Sequence, residues 1–453
     1  MSAVRLLAVP DFRRLWSSHT VSLLGDQIRT LALPLAAVLT LHAGPAQMGL
    51  LTAAGTVPAL LFSVAAGAAS DRYGRRRATM VVADVLRALL LASVPVAAVF
   101  DVLSLPQLYA VAFGTGTLSV LFDVADSSLF VAVVPRESYV AANSLIHGSR
   151  AASYLAGPSL AGVLVQLVGA PFTVLADAVS FLGSALFLGR IRVADPPTER
   201  TRGAVVDGLR YLRRSRTMNA GLVGCAALNL FNFAFVALFT LYATTTLGIS
   251  PGTLGLVLGV GAVGSLLGAL VTGRLGTLIG IGRTAVLGMV LFPAPLILVP
   301  LAHRPGPLAL VLVLASEFGA GLGVMMLDIS FGSISAAVVP ARLRARITGA
   351  FETVNYGVRP LGSLLGGTLG ATLGLRPALW IATVGALTGV LFVLPSPIRR
   401  MRRLPDHPEE HPATSGPATG GPAGPNPATG RPVPGQVTGP VSDAAATGQS
   451  SAP

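Results

Sequence analysis

The chain has 453 residues, of which 52% are hydrophobic and only 11% charged. A soluble domain is about a quarter charged, so the composition excludes one and fits an all-α integral membrane protein. The formal net charge of +13 comes from arginine, with no lysine; these arginines sit mostly in short loops, so membrane topology accounts for them better than a nucleic-acid partner does.

Apolar runs of about 20 residues, each able to cross a bilayer as a helix, recur along the chain. Twelve spans are expected, at 16–41, 47–70, 78–100, 106–134, 143–168, 171–189, 219–246, 251–276, 284–302, 307–339, 347–373 and 377–394. They form two sets of six. The first run is too long for a cleavable signal peptide and lacks a small-residue cleavage site. The single cysteine, Cys225, excludes an internal disulfide.

The loops alternate in charge. Arg5, Arg13 and Arg14 precede the first span. Arg72, Arg75, Arg76 and Arg77, then Arg136, then Arg274 and Arg283, then Arg342, Arg344 and Arg346 follow in every second loop, and Arg399, Arg400, Arg402 and Arg403 come after the last span. The opposite loops carry only Arg304 and Arg376. The positive-inside rule then places both termini in the cytoplasm. The expected organisation is a six-helix bundle at 1–189, a cytoplasmic linker at 190–218, a second bundle at 219–404 and a tail at 405–453.

In the linker, Val205, Val206, Leu209 and Leu212 face away from Arg210, Arg213, Arg214 and Arg216, the pattern of an amphipathic helix on the inner membrane surface. The tail is rich in Pro, Gly, Ser and Thr and has nothing with which to bury a core, so disorder is expected there.

The two sets of spans repeat each other. Asp123 to Gly169 matches Asp328 to Gly374 at a constant offset of 205 residues, with Ala132-Val133-Val134-Pro135 falling on Ala337-Val338-Val339-Pro340. A register held so long without a gap indicates duplication of a six-helix unit. Parallel repeats of this kind carry a substrate site between the halves near the midplane in one class of transporter.

Between the second and third spans stands Gly67-Ala68-Ala69-Ser70-Asp71-Arg72-Tyr73-Gly74-Arg75-Arg76-Arg77. Gly67 permits close helix approach and Gly74 a tight turn. The pattern G-x-x-x-D-R-x-G-R-R-R resembles the signature loop of the major facilitator superfamily of secondary transporters. The resemblance implies the major facilitator fold, with twelve transmembrane helices in two six-helix pseudo-symmetric halves. It also implies that Gly67, Asp71, Arg72, Gly74, Arg75 and Arg76 form a cytoplasmic latch, in which an acid of the fourth span, Asp123 or Asp126, joins the charge network. Gly157-Pro158-Ser159-Leu160-Ala161-Gly162 is similar to the antiporter motif of exporters in that superfamily, with Ala161 in place of one glycine. Stretches such as Val134-Pro135-Arg136-Glu137 and Arg342-Leu343-Arg344-Ala345-Arg346 resemble the branch that includes enterobactin-type siderophore exporters and macrolide efflux pumps.

Charges inside a membrane are costly and are candidates for function. Asp26 and Arg29 lie near the middle of the first span and, three residues apart, share a face; Asp84 and Arg87 do the same in the third span. Asp177, Glu317, Glu352 and Arg359 stand as lone charges. Asn229, Asn232 and Asn355 are polar cavity candidates. No P-loop, metal-ligand spacing or nucleophile constellation appears, so neither enzymatic activity nor a cofactor is expected. The preferred reading is a monomeric proton-coupled antiporter in the plasma membrane that exports a small, partly apolar molecule, with Asp26 as the coupling carboxylate and Glu317 next. A proton-coupled nutrient importer and a non-transporting sensor are the alternatives.

Overall fold

The computed structural model describes residues 3–73, 76–192, 210–340 and 343–404, apart from the side chains at 3, 4, 63–73 and 345. Among the described residues a short helix, Ala3–Leu7, leads into twelve longer ones. They are α1 (Pro10–Leu35), α2 (Pro45–Tyr73), α3 (Arg76–Val99), α4 (Leu105–Val133), α5 (Tyr139–Val168), α6 (Ala170–Gly189), α7 (Arg216–Thr245), α8 (Pro251–Leu278), α9 (Ile281–Leu291), α10 (Pro307–Val338), α11 (Arg344–Leu373) and α12 (Leu375–Leu387).

Eleven of these segments are long and apolar enough to cross a membrane. The exception is α11, whose 30 residues include Arg344, Arg346, Glu352 and Arg359. It packs along α2 and α7 inside the bundle all the same.

Helix ends differ from the expected spans for local reasons. Helix α1 starts at Pro10, where the missing N–H costs nothing in the first turn. Pro34 removes a donor from the ladder inside α1, and a π-helical turn, Ala36–Thr40, extends the helix beyond it. Helix α7 begins at Arg216 because the Ser215 side chain caps it, accepting from the Met218 N–H at 3.2 Å. The ninth span is expected as one helix. Instead α9 stops at Leu291, and a 3-10 turn at Pro295–Ile297 and a short helix at Leu298–Leu301 complete the crossing; Pro293 and Pro295 remove two donors from the ladder.

The sequence repeat is also a structural one. Helices α5 and α11 keep the offset of 205 residues at both ends. Each ends on a glycine with left-handed backbone, Gly169 at φ +86° and Gly374 at φ +91°, a conformation strained for any residue with a Cβ.

The arginine-bearing ends gather at one side of the bundle, the basic end. There Arg14 donates to the Arg190 carbonyl at 2.8 Å, and Arg77 donates to that of Ile191. The turns between α1 and α2, α5 and α6, α7 and α8, and α11 and α12 lie at the far end. The halves meet mainly along two helix pairs, α2 with α11 and α5 with α8. Both seams are made of glycine at the far end. A Cβ at Gly49 would lie 2.7 Å from the Gly367 Cα, and one at Gly162 3.0 Å from the Gly252 Cα. Lipid tails give no hydrophobic drive to helix association, so such close backbone approach supplies the attraction.

Towards the basic end the α5–α8 seam opens. Gly148 on α5 and Gly273 on α8 continue the same helical faces, yet a Cβ at either meets nothing within 4 Å. The apolar cores tell the same story. At the far end one core joins both halves, with Leu35, Met48 and Leu51 alongside Leu238 and Tyr242. At the basic end it gives way to two separate cores, one around Phe12, Phe122 and Leu129, the other around Met218, Ile334 and Ile347.

The linker expectation is only partly visible. Val205, Val206 and Leu209 lie outside the described residues, as does the tail at 405–453. Of the described end, Tyr211 and Leu212 are buried in the basic-end core of the second half, with Arg210, Arg213 and Arg214 exposed. That end packs its apolar side chains on the second bundle.

Candidate functional site

The best-defined polar site lies between α1 and α6. Arg29 Nη2 donates to Asp26 Oδ1 at 2.5 Å, as the i,i+3 spacing anticipates, and Arg29 Nε donates to Asp177 Oδ2 on α6 at 2.8 Å. Asp177 is therefore not a lone charge: it closes the guanidinium from the other side. Its Oδ1 lies 3.0 Å from Ser180 Oγ. Gly25 makes this possible, because a Cβ there would run into the Ser180 side chain, whose own Cβ would be 2.7 Å away.

Exposure grades across the trio. The Asp177 side chain is fully buried, Arg29 is 21% exposed and Asp26 is 33% exposed. When both carboxylates are ionised, a single guanidinium leaves an excess negative charge, which a proton or a cationic group cancels. The open member, Asp26, is the one such a group reaches first.

A second cluster lies nearer the basic end. Arg87 pairs with Asp84 at 3.1 Å, and both are buried. Ser184 Oγ donates to Asp84 Oδ2 at 2.6 Å and lies 2.8 Å from Ser18 Oγ, tying α3, α6 and α1 together. The guanidinium sits over the Phe122 and Phe181 rings, 4.8 and 4.9 Å from their centroids, where cation–π attraction replaces part of its lost hydration. Beside Ser18, His19 Nε2 meets Asp126 Oδ1 at 2.8 Å. Asp126, expected in the latch, has His19 as its described partner. Asp123 is exposed on the same helix.

The second half is built differently. Asn229 Nδ2 donates to Asn355 Oδ1 at 3.0 Å, bridging α7 and α11. Asn232 makes no side-chain hydrogen bond among the described residues. Arg359 stacks on Tyr356 and Phe233, at 4.2 and 5.0 Å, and its Nε has no hydrogen-bond partner among the described residues. Glu317 on α10 faces Gly261 of α8, where a Cβ would lie 3.4 Å from its Oε2. Among the described residues no cation pairs with it, nor with the exposed Glu352. No cluster able to hold a metal occurs among the described residues.

The antiporter-like motif is a packing element. Gly157 presses on Gln27 of α1, Pro158 lays its carbonyl against Gly255 of α8, and Gly162 faces Gly252 and Gly255. Of the latch residues, Arg76 is buried; the side chains of Gly67, Asp71, Arg72, Gly74 and Arg75 lie outside the described residues.

Sequence reasoning missed His19, Ser18 and Ser184, and left Asp177 without its partner. One signal was available for part of this: Ser180 and Ser184 stand three and seven residues after Asp177, on one face of α6.

Comparison with known proteins agrees with this architecture. The chain matches the transmembrane secretion effector family over residues 1–417. It is 28% identical to the multidrug efflux pump Tap of Mycolicibacterium fortuitum over 366 residues, covering 78% of this chain and 87% of that protein. It is 26% identical to the uncharacterized MFS-type transporter YfiS of Bacillus subtilis (strain 168), covering 86% and 94%. Among solved structures, a bacterial homologue of the iron transporter ferroportin in an inward-facing state superposes with a TM-score of 0.71 at 14% identity, covering 85% of this chain and 98% of that one. A variant of the nucleoside transporter NupG gives 0.69 at 14% identity, covering 85% and 99%. Twelve helices in two repeated halves, intramembrane charge and a match over most of the chain lead to one conclusion: the protein belongs to the transmembrane secretion effector family, within the major facilitator superfamily of membrane transporters.

Proposed function

We propose that the protein is a proton-coupled antiporter that exports a small, partly apolar organic molecule. The observation that carries this reading is Arg29 held between a buried Asp177 and a part-exposed Asp26. With a proton on Asp26, its bond to Arg29 weakens and the site between α1 and α6 becomes neutral. Without it, the site keeps its excess negative charge and favours a substrate that brings a positive or polar group. Proton and substrate thus compete for one carboxylate, which is what antiport requires. The relatedness to efflux pumps named Tap supports export.

The two ends supply the gate. The glycine seams and the joined core close the far end, and the basic end is split. With the arginine-rich loops in the cytoplasm, this is an inward-open form, ready to take up substrate from inside. Rocking of the halves about the midplane then exposes the site to the other side. The Asn229–Asn355 pair and the aromatic-stacked Arg359 face this work from the second half as substrate contacts. Small molecule, proton and lipid are the partners; the transporter works as a monomer.

Everted vesicles test the reading. Adding an exported substrate to vesicles holding an acid-inside gradient collapses the gradient if proton leaves as substrate enters. No flux with any amphiphilic cation, or uptake that consumes the gradient in the import direction, contradicts it. A reporter active only outside the cytoplasm, fused after Arg403, stays silent under the same reading.

A further inference from the structure

At the basic end of the second half, the turn after α12 folds over the start of α7. A cavity of about 570 Å³ opens between them. Arg213, Arg216 and Arg400 line it, with Asn219 and Ser396 among them and no acidic residue. Among the described residues, no carboxylate forms an ion pair with any of the three. A neighbouring cavity of about 490 Å³ shares Pro395 and Arg400 and adds Arg283, Arg399 and Arg402. Like charges gathered around one opening raise its positive potential, and no protein anion among the described residues relieves it.

The frame of the cavity is ordered by its own hydrogen bonds. Asn219 Nδ2 donates to the Arg213 carbonyl at 3.2 Å, linking the helical turn at 210–214 to the first turn of α7. Ser396 Oγ donates to the Val393 carbonyl at 2.7 Å and accepts from the Ile398 N–H at 3.3 Å, which shapes the turn that presents Arg400. The opposite wall is apolar. Val223, two turns into α7, and Phe392, at the end of the α12 crossing, are 38% and 47% exposed and lie on the membrane side of the arginines.

We propose that this cavity binds the headgroup of an anionic phospholipid. The three arginines hold the phosphodiester, for which guanidinium geometry is suited, and the acyl chains run down over Val223 and Phe392. A free phosphate uses the arginines but not the apolar wall. A membrane lipid uses both and is present at the depth where the two meet.

The test uses the full purified chain in neutral detergent, with bound lipid counted by native mass spectrometry during titration with phosphatidylglycerol or phosphatidylcholine. The wild-type protein retains phosphatidylglycerol in preference to phosphatidylcholine. The Arg213→Gln/Arg216→Gln/Arg400→Gln variant loses that preference by about tenfold or more. A control variant, Arg136→Gln/Arg274→Gln, changes exposed arginines outside the cavity lining and keeps it. Should the triple variant fail to fold, Arg216→Gln alone is read the same way, with a loss of about fivefold. Inorganic phosphate and glycerol 3-phosphate serve as competitors. Displacement of the lipid by either at equal concentration makes this a free-phosphate site and overturns the lipid assignment. Retention of phosphatidylglycerol by the triple variant, or equal loss in the control, overturns the site.

Discussion

The two halves share a fold and a repeat, yet they treat charge in opposite ways. In the first half the intramembrane charges are knitted together: Asp26 and Asp177 on Arg29, Asp84 and Ser184 with Arg87, His19 on Asp126. In the second half the corresponding helices carry an amide pair, Asn229–Asn355, a Glu317 that forms no salt bridge among the described residues, and an Arg359 that stacks on aromatic rings instead of forming one. Duplication produced equal scaffolds, so the difference lies in what each scaffold holds. A paired network changes its bonding when one proton arrives. An amide pair and a stacked guanidinium offer shape and hydrogen bonds to a substrate. On the proposed antiport reading, the first half handles the ion and the second recognises the substrate.

The comparison breaks most visibly in stability. Asp84→Ala leaves the Arg87 guanidinium buried between two phenyl rings with its carboxylate gone, a loss of about 3–5 kcal/mol. The expected outcome is little folded protein and a large fall in the detergent melting temperature. Glu317→Gln removes a charge that has no ionic partner, so the melting temperature moves by less than about 1 kcal/mol equivalent. Equal damage from both would remove the contrast between the halves.

The seams sharpen it next. Gly49→Val forces apart backbones so close that even a Cβ at Gly49 would lie 2.7 Å from the Gly367 Cα, an overpacking cost of about 1–3 kcal/mol. The folded protein then exposes cysteines placed near Pro45 or Gly370 to a membrane-impermeant thiol reagent. Gly148→Ala, which meets open space, keeps the closed far end and gains about 0.5–1 kcal/mol in helix propensity. A smaller effect falls on Asn229. Asn229→Ala loses one interhelical hydrogen bond, about 0.6 kcal/mol in membrane proteins. It weakens substrate affinity a few-fold and leaves the proton-to-substrate ratio unchanged.

Much of the scaffold was legible in the chain because bilayer thickness and apolar run length are local properties. The offset of 205 residues even located Gly169 and Gly374, whose left-handed backbones close α5 and α11. Helix ends were less legible, since polar turns such as Arg216–Met218 continue a helix past its apolar stretch, and two prolines broke α9 where hydropathy stayed high. Within the site, Asp26–Arg29 and Asp84–Arg87 could be paired because i,i+3 geometry is set by a single helix. Asp177, Ser184 and the His19–Asp126 contact could not, because they depend on which helix packs against which, and Gly25 decides that approach through the absence of a side chain. The split between basic-end cores is likewise a property of packing alone.

The central claim is that Asp26 is the carboxylate for which proton and substrate compete. The measurement that bears on it most directly is transport by Asp26→Asn in everted vesicles, normalised to folded protein. The account predicts that this variant, fixed in the neutral form that a proton gives Asp26, binds substrate more weakly yet still exchanges it down its gradient, while substrate no longer releases protons and an imposed proton gradient no longer drives export. Full proton-driven export by a well-folded Asp26→Asn protein contradicts it and moves the coupling site to Glu317.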